Sequence, residues 1–361
     1  MSSPDPVGHR VVPRDMSRVR TGRRVAGLAI ALSLASPAIA SPLPRHLRET
    51  GLYADPTLNR VAPDALPYTP QYPLWSDGAT KRRWIRLPRG TSIDGRDPDA
   101  WVFPVGTRIW KQFGSEERRR ETRLIVRTRS GWVYGTYRWT EDGRDAVLVG
   151  DQGAVDEDPS WPGGGYVFPS QQDCRSCHEG RPTPVLGFSA LQLSPDRDPD
   201  AIHGETPVAG GLDLTVLVDR HLIRGLPPEW RRTPPRIRAS TPSERTALGY
   251  LHGNCGQCHN ARGPLAALGL DLWLDPARPD GATAEVLASL LARSSFQFPG
   301  QTPTHVARLS PGAPDRSAIL LRMRTRDPTT QMPPLATRVV DDEAVRRVQQ
   351  WIAQLSASPA P

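Results

Sequence analysis

Two copies of one five-residue pattern hold all four cysteines of the 361-residue chain. The pattern Cys-x-x-Cys-His stands in QQDCRSCHEG, at residues 171–180, and in NCGQCHN. Two thiols on one local turn can each bond a vinyl group of the same porphyrin, and the adjacent imidazole then binds the iron. The sequence therefore predicts two covalently bound haem c groups. They are held by Cys174, Cys177, Cys255 and Cys258, with His178 and His259 as axial iron ligands.

Two other kinds of cysteine site explain the sequence less well. A thioredoxin-like redox pair is expected within a βαβ unit, and no pattern of parallel strands surrounds either copy. A structural zinc site draws four ligands together, but the two cysteine pairs are too far apart for a zinc ribbon. The histidine of each copy would also have no role there. No cysteine is left for a disulfide or a lipid anchor, so the motifs account for every thiol.

A methionine near the end of the chain is the candidate sixth ligand of the second haem. Met332 lies in TTQMPPLAT, ahead of an amphipathic helix predicted over 341–355. Residues 243–355 resemble a class I c-type cytochrome, in which a methionine thioether binds the iron and raises its reduction potential. The resemblance implies this role for Met332. It also implies that Met323 is a packing residue and that residues 269–291 are an insertion.

The sixth ligand of the first haem stays open between several residues. No methionine lies between His178 and the second motif. His221 is favoured because a short helix is predicted over 212–225. His252 is favoured because it lies three residues before the second motif, where multihaem cytochromes often carry a distal histidine. The remaining candidates are His203, His305, Met323 and an iron without a sixth ligand.

The elements around the motifs divide into a strand-rich and a helix-rich part. Short runs rich in Val, Ile, Trp and Tyr, such as AWVFPVG at 100–106 and GWVYGTYRW at 131–139, predict antiparallel strands between 82 and 150, joined by turns such as Asp142-Gly143. From 241 the pattern is helical, with Thr241 or Ser243 capping a helix that leads into the second motif. The predicted fold class is multidomain. An antiparallel β-rich amino-terminal domain, a sandwich or barrel, is followed by a mainly α-helical cytochrome c-like domain.

The first 40 residues predict an export signal. Four arginines between residues 18 and 24 precede the apolar run VAGLAIALSLA, which ends in Ala38-Ile39-Ala40. This run is shorter than the about 20 apolar residues that cross a membrane. We therefore expect a signal peptide cleaved near Ala40, a periplasmic protein and no transmembrane segment in the mature chain. Met16 is a more usual start for such a signal than Met1.

The charge and composition give no indication of a nucleic-acid partner. The formal net charge is +8, but residues 1–40 contribute six Arg against two Asp, so the mature chain is only mildly basic. Lys81 and Lys111 are the only lysines of the sequence. The 39 Pro and 31 Gly follow no period, which is typical of a loop-rich globular protein.

Several longer stretches carry a wider resemblance. PLWSDGATKRRWIRLP, WVFPVGT, CRSCH with LGFSALQLS, YLHGNCGQCH and MPPLAT resemble a family of exported bacterial dihaem c-type cytochromes, over about residues 50–355. The predicted division of the chain follows in order. It comprises a signal peptide (1–40), a β-rich domain (41–170), a first haem-binding segment with an irregular connector (171–240), a class I cytochrome c-like domain (241–355) and a tail (356–361).

Three functions follow from these expectations. The leading one is a periplasmic electron-transfer protein whose two haem irons relay single electrons between redox partner proteins. The second is a dihaem enzyme of peroxidase or oxidase type, with an open position at the first iron. The third is the electron-transfer subunit of a larger dehydrogenase. Electron transfer is favoured over a stand-alone enzyme, and no residue is assigned as catalytic.

Overall fold

A computed structural model describes residues 43–291, 294–297, 305–335 and 337–356. The predicted signal peptide lies outside the described residues. The strands are β1 Leu66–Pro67, β2 Thr80–Arg86, β3 Ile93–Asp94, β4 Arg108–Gly114, β5 Arg119–Thr128, β6 Gly131–Trp139, β7 Ala146–Leu148, β8 Ala154–Glu157, β9 Gly165–Phe168, β10 Ile223–Arg224, β11 Ser294–Gln297 and β12 His305–Ala307. The helices are α1 Gln171–His178, α2 Leu214–Asp219, α3 Pro242–Asn254, α4 Pro279–Leu291, α5 Ala318–Met323 and α6 Asp342–Gln354.

Six strands form one antiparallel sheet in the order β1-β2-β4-β5-β6-β7. The antiparallel strands predicted between 82 and 150 are therefore present, and β6 matches its predicted run at both ends. The run AWVFPVG forms no strand of its own; Val102 makes a single bridge to Asp94. Three further pairs of short strands, β3 with β10, β8 with β9 and β11 with β12, lie outside this sheet.

Side-chain alternation gives the sheet two buried faces. One face carries a row in register across β2, β4 and β5: Trp84, Trp110 and Leu124. The next positions along the same strands form the row on the other face: Ile85, Ile109 and Ile125. The first row packs with residues between 43 and 65, and the second with residues between 174 and 223. Segments from outside the sheet, including α1 and α2 on the second face, thus cover both faces of a single sheet, where a sandwich or barrel was predicted.

The predicted fold class is wrong in its second half as well. The described residues form a β-rich antiparallel fold with six short helices, and no mainly α-helical cytochrome c-like domain is evident among them. Helices α3, α4 and α6 have 13 residues each and α5 has six, with long irregular segments between them. Their core includes Tyr72 and Leu191 from outside this region. Each helical pattern was local, and it did not reveal that the helices share their core with the rest of the chain.

The chain from Ser41 onward clusters as one compact unit. The predicted boundaries at residues 40, 170, 240 and 355 stay predictions. Helix α2 is shorter than predicted, because it ends at Asp219 and His221 takes a left-handed conformation with φ 55°. The chain then enters β10, which pairs in parallel with β3.

Candidate functional site

The first motif lies within a short capped helix. α1 contains the whole motif, and its N-cap is Ser170. The Ser170 hydroxyl accepts from the Asp173 N–H at 3.1 Å, and the Asp173 carboxylate accepts from the Ser170 N–H at 2.9 Å. This reciprocal capping box satisfies two amide groups that the helix itself leaves unpaired. Cys174 is buried in the core beneath the sheet, so the motif is fixed to the sheet rather than set in the irregular segment that the sequence suggested.

The second motif follows a longer helix. α3 begins at Pro242 after the N-cap Thr241, whose hydroxyl accepts a backbone N–H of the first turn, as predicted. Directly after this helix, the N–H groups of Cys258 and His259 both donate to the carbonyl of Cys255, at 3.1 and 2.9 Å. These bonds close the motif into a tight turn.

The two motifs contact each other, although they are far apart in the sequence. The Cys258 Sγ lies 3.8 Å from the carbonyl oxygen of Ser176. The side-chain amide of Asn260, which is 1% exposed, donates to the Gly180 carbonyl at 3.1 Å. Gly180 lies so close to the second motif that a Cβ there would overlap the carbonyl oxygen of Gln257.

Both motifs open into one cavity of about 890 Å³. This volume lies within the range of roughly 300–1,000 Å³ that small-molecule and cofactor sites occupy. The lining is mostly apolar, and Ile109 and Ile125 of the sheet supply part of one wall. The predicted site residues that line the cavity are Cys177, His178, Cys255, Cys258, His259 and Met332.

His178 has the tautomer of a metal-binding histidine. Its Nδ1 lies 2.6 Å from the carbonyl oxygen of Pro184. A carbonyl can only accept, so Nδ1 carries the proton and the lone pair is on Nε2. Loss of hydration lowers the pKa of this imidazole to about 4, so the ring is neutral at pH 7. Histidines that bind metals commonly donate their other N–H to a carbonyl in this way.

His259 has the same place in its motif but no such partner. Its Nδ1 is buried and meets no hydrogen-bond partner within the described ranges. Loss of hydration is the main cause that lowers the pKa of this imidazole too, and the positive charges of Arg308 and Arg322 lower it further. A buried polar atom left unpaired costs roughly 1–3 kcal/mol, and no carbonyl fixes the tautomer of His259 in the way that Pro184 fixes that of His178.

The thiols are poorly suited to redox cycling or to zinc. Loss of hydration raises the pKa of Cys174 and Cys258 to about 11 and of Cys255 to about 12, and it raises the pKa of Cys177 as well. Redox-active Cys-x-x-Cys pairs have lowered thiol pKa values instead. In the part of the chain that the structure describes, no three His, Cys, Asp or Glu side chains gather where they could hold a metal ion. A structural zinc site needs four converging ligands.

Two methionines reach the cavity from the helix-rich region. Met332 is half-buried, and its N–H donates to the carbonyl of Arg322 in α5 at 3.0 Å. Met323, the last residue of α5, is 5% exposed and belongs to the helical core. Both line the cavity. The role of Met332 as an iron ligand stays a prediction. Met323, expected to pack near the second haem and kept as a candidate ligand of the first, lines the same space.

Neither histidine favoured for the first haem lines the cavity. His221 is exposed and follows the end of α2. His252 is 1% exposed, and its Nδ1 accepts from the Leu274 N–H at 3.1 Å. This bond puts the proton of a neutral ring on Nε2, which then offers no lone pair to a metal. The His252 ring packs instead on Trp273, with 4.3 Å between centroids.

The sheet also brings charged residues to the cavity that the sequence pattern did not single out. Lys111 of β4 and Arg123 of β5 are neighbours in register, and both line the cavity beside the first motif. Arg123 forms a two-point ion pair with the fully buried Glu121, at 2.6 and 3.0 Å. Side chains alternate along a strand, so Lys111, two positions after the buried Ile109, lies on the same face. A lysine at a position where the alternation predicts a buried side chain was the signal that the sequence offered.

The site meets the requirements of c-type haem in three respects. Both thiols of the second motif and Cys177 of the first lie at the wall of a mostly apolar cavity, whereas Cys174 is buried in the core behind it. The cavity also receives a neutral imidazole with its lone pair on Nε2 and a thioether. Comparison of the chain with protein-family models, with curated proteins and with solved structures gives no match. Among the described residues, no helix has both the length and the apolar character needed to span a bilayer.

Proposed function

We propose that this protein is a periplasmic dihaem c-type cytochrome that relays single electrons between redox partner proteins. The observation that carries the proposal is the shared cavity, into which both Cys-x-x-Cys-His motifs open. The oriented, neutral imidazole of His178 supports it, because a ligand histidine must keep one ring nitrogen free of protons. The resemblance of the sequence to exported dihaem cytochromes points in the same direction.

Each motif would hold one haem through its thiols and its histidine. The first set is Cys174, Cys177 and His178, and the second is Cys255, Cys258 and His259, with Met332 as sixth ligand. A haem iron takes up or releases one electron at a potential that its ligands, hydrogen bonds and burial determine. The Pro184 carbonyl would make the His178 imidazole a stronger electron donor. The apolar side chains of Ile109 and Ile125 form part of the cavity wall.

The contact between the motifs favours a relay over two separate carriers. Ser176 and Gly180 of the first segment touch Cys258 and Asn260 of the second. Groups attached to the two motifs would therefore belong to one rigid part of the protein. Electrons could pass from one to the other without a movement of domains.

A dihaem enzyme is the second candidate, and one observation favours it. Neither His221 nor His252 lines the cavity, and the Nδ1 of His252 accepts a backbone N–H, which favours a first iron without a sixth ligand. An iron there would then be open to peroxide or another small molecule. Binding of carbon monoxide to the reduced protein, with turnover of peroxide, would favour this candidate over the electron relay.

The test of the proposal is the number of attached porphyrins. The protein is expressed with a working cytochrome c maturation system, and its intact mass is measured after acid-acetone treatment. We expect the mass of the mature chain plus two haem groups, with the red colour remaining on the polypeptide. A chain of bare mass, or colour that moves to the acetone, would show that the proposal is wrong.

A further inference from the structure

The charge of the cavity wall is strongly one-sided. A single acidic side chain, Glu179, lines it among the described residues. The basic side chains that line it are Lys111, Arg123, Arg175, Arg308 and Arg322. A concave surface with one sign of charge and low-dielectric walls attracts ligands of the opposite sign. The cavity is therefore suited to an anionic occupant.

Three cations form a row across the sheet wall. Arg83, Lys111 and Arg123 are in register on β2, β4 and β5. Two of them have their own carboxylates: Arg83 donates to Glu205 at 2.5 and 2.9 Å, and Arg123 donates to Glu121. The fold thus neutralises the cation on either side of Lys111.

Lys111 itself has no carboxylate partner in the described ranges. Its Nζ lies 4.8 Å from the centroid of the Phe113 ring, a cation–π contact that neutralises no charge. Loss of hydration and the neighbouring cations Arg83 and Lys81 lower its pKa well below the ordinary value. Lys111 is half-buried in the cavity wall. An ammonium group withdrawn from water without an anion is unfavourable, so an anion in the cavity would supply the counter-charge that the chain does not.

We infer that Lys111 is the cation of an anion subsite in the cavity, beside the first motif, and that the subsite receives a carboxylate or a similar oxyanion. Two sources have this chemistry: a propionate of the porphyrin held by the first motif, and a small free anion. The first source rests on the proposed function, and the second does not. In both cases Lys111 is a positioning residue and binds no iron.

Lys81 provides the matched control. It is the other lysine of the sequence, and burial lowers its pKa to about 8, yet it does not line the cavity. Its Nζ donates to the Ala79 carbonyl at 3.0 Å. The variants are therefore Lys111→Met, Lys111→Arg and Lys81→Met.

The propionate source is tested by resonance Raman spectroscopy and redox titration of the holoprotein. If a propionate binds Lys111, Lys111→Met shifts the propionate bending mode of one haem and lowers one of the two potentials, because a cation that disfavours ferric iron is lost. Lys111→Arg keeps most of both properties. Lys81→Met, which removes a cation outside the cavity lining, keeps the propionate mode and changes the potential less than Lys111→Met does.

The free-anion source is tested by titrating the wild-type holoprotein with acetate and with phosphate. We expect a saturable change of the haem spectrum that weakens at least tenfold in Lys111→Met and not in Lys81→Met. Unchanged propionate modes and potentials, together with no anion response, would overturn the inference.

A measurement on the wild-type side chain keeps the inference testable if Lys111→Met fails to fold. Reductive ¹³C-methylation labels both lysines and the α-amino group. Lys81→Arg removes the signal of Lys81, and the α-amino signal is recognised by its lower pKa, so the third signal is assigned to Lys111. A nuclear Overhauser contact with a propionate methylene of the ferrous protein, or a saturable shift with acetate, supports the subsite. The absence of both results would overturn the inference. If the intact mass shows no porphyrin, the proposed function fails, and the acetate shift alone decides on Lys111.

Discussion

The two Cys-x-x-Cys-His motifs share their spacing, but the protein surrounds them differently. The first lies inside α1 on the sheet, and the Pro184 carbonyl orients its imidazole. The second lies beyond the end of α3, and the Nδ1 of its imidazole has no partner in the described part of the chain. The polypeptide thus orients the imidazole at the first site, whereas it leaves a polar atom of the imidazole unpaired at the second.

The polar surroundings differ in the same way. Lys111 and Arg123 stand beside the first motif, whereas loop leucines such as Leu270 and Leu272 and the two methionines line the cavity elsewhere. A short motif therefore specifies the covalent chemistry and leaves the tautomer, the sixth ligand and the local charge to residues distant in sequence. Four variants or variant pairs test how far the two sites differ.

The largest effect is expected from removing one thiol pair at a time. Cys174→Ser with Cys177→Ser, and Cys255→Ser with Cys258→Ser, should each lower the intact mass by one porphyrin. The physical reason is that each motif would hold its own porphyrin through its own two thioethers, within α1 at the first motif and just after α3 at the second. If either double variant loses both porphyrins, the contact between Cys258 and Ser176 makes the sites interdependent, and the comparison of two separate sites is wrong.

The next effect concerns the sixth ligand of the second site. Met332→Leu should remove the charge-transfer band of a Met–His ferric haem and lower the potential of one haem, since a thioether ligand raises it. Met323→Leu is the matched control, because a Leu–Met exchange usually costs less than about 1.5 kcal/mol in a core. Visible spectra and redox titration separate the two. Loss of the band in Met323→Leu alone would assign the ligand to α5.

A smaller effect is expected where the motifs touch. Gly180→Ala would bring a Cβ against the backbone of Gln257, which cannot move aside cheaply. We expect the free energy of unfolding to fall by about 1–3 kcal/mol, the usual cost of overpacking. Gly150→Ala is the control, because a Cβ there meets open space. Equal stability of the two variants in urea titrations would mean that the contact between the motifs is looser than described.

Local signals in the sequence predicted the local structure. The cap at Thr241 and the strand over 131–139 were predicted correctly, because a capping side chain and a period of two act between near neighbours. The cap of α1 was missed, although Ser170 and Asp173 have the spacing of a capping box. The predicted helix over 212–225 was too long, because pairing of β10 with β3 ends the helical pattern.

The cavity could not be predicted from the sequence, because its walls come from segments that only the tertiary fold joins. Lys111 reaches it through strand register, and Pro184 through the turn after α1. Burial of His252 against Trp273 depends on the same long-range packing. Its position before Cys255 suggested a ligand, but its hydrogen bond to Leu274 decides its tautomer. The sequence therefore predicts a chemistry for the two motifs, but not the residues that surround them.

The smallest expected effect separates the two helices that carry the motifs. Ser170→Ala and Thr241→Ala each remove an N-cap, which costs about 1 kcal/mol. In hydrogen exchange, Ser170→Ala should increase exchange in α1 and Thr241→Ala in α3, because each cap holds only its own first turn. Loss of protection in both helices from either single change would mean that the bond from Asn260 to Gly180 couples them. The two motifs would then open together as one unit, although their surroundings indicate two differently built sites.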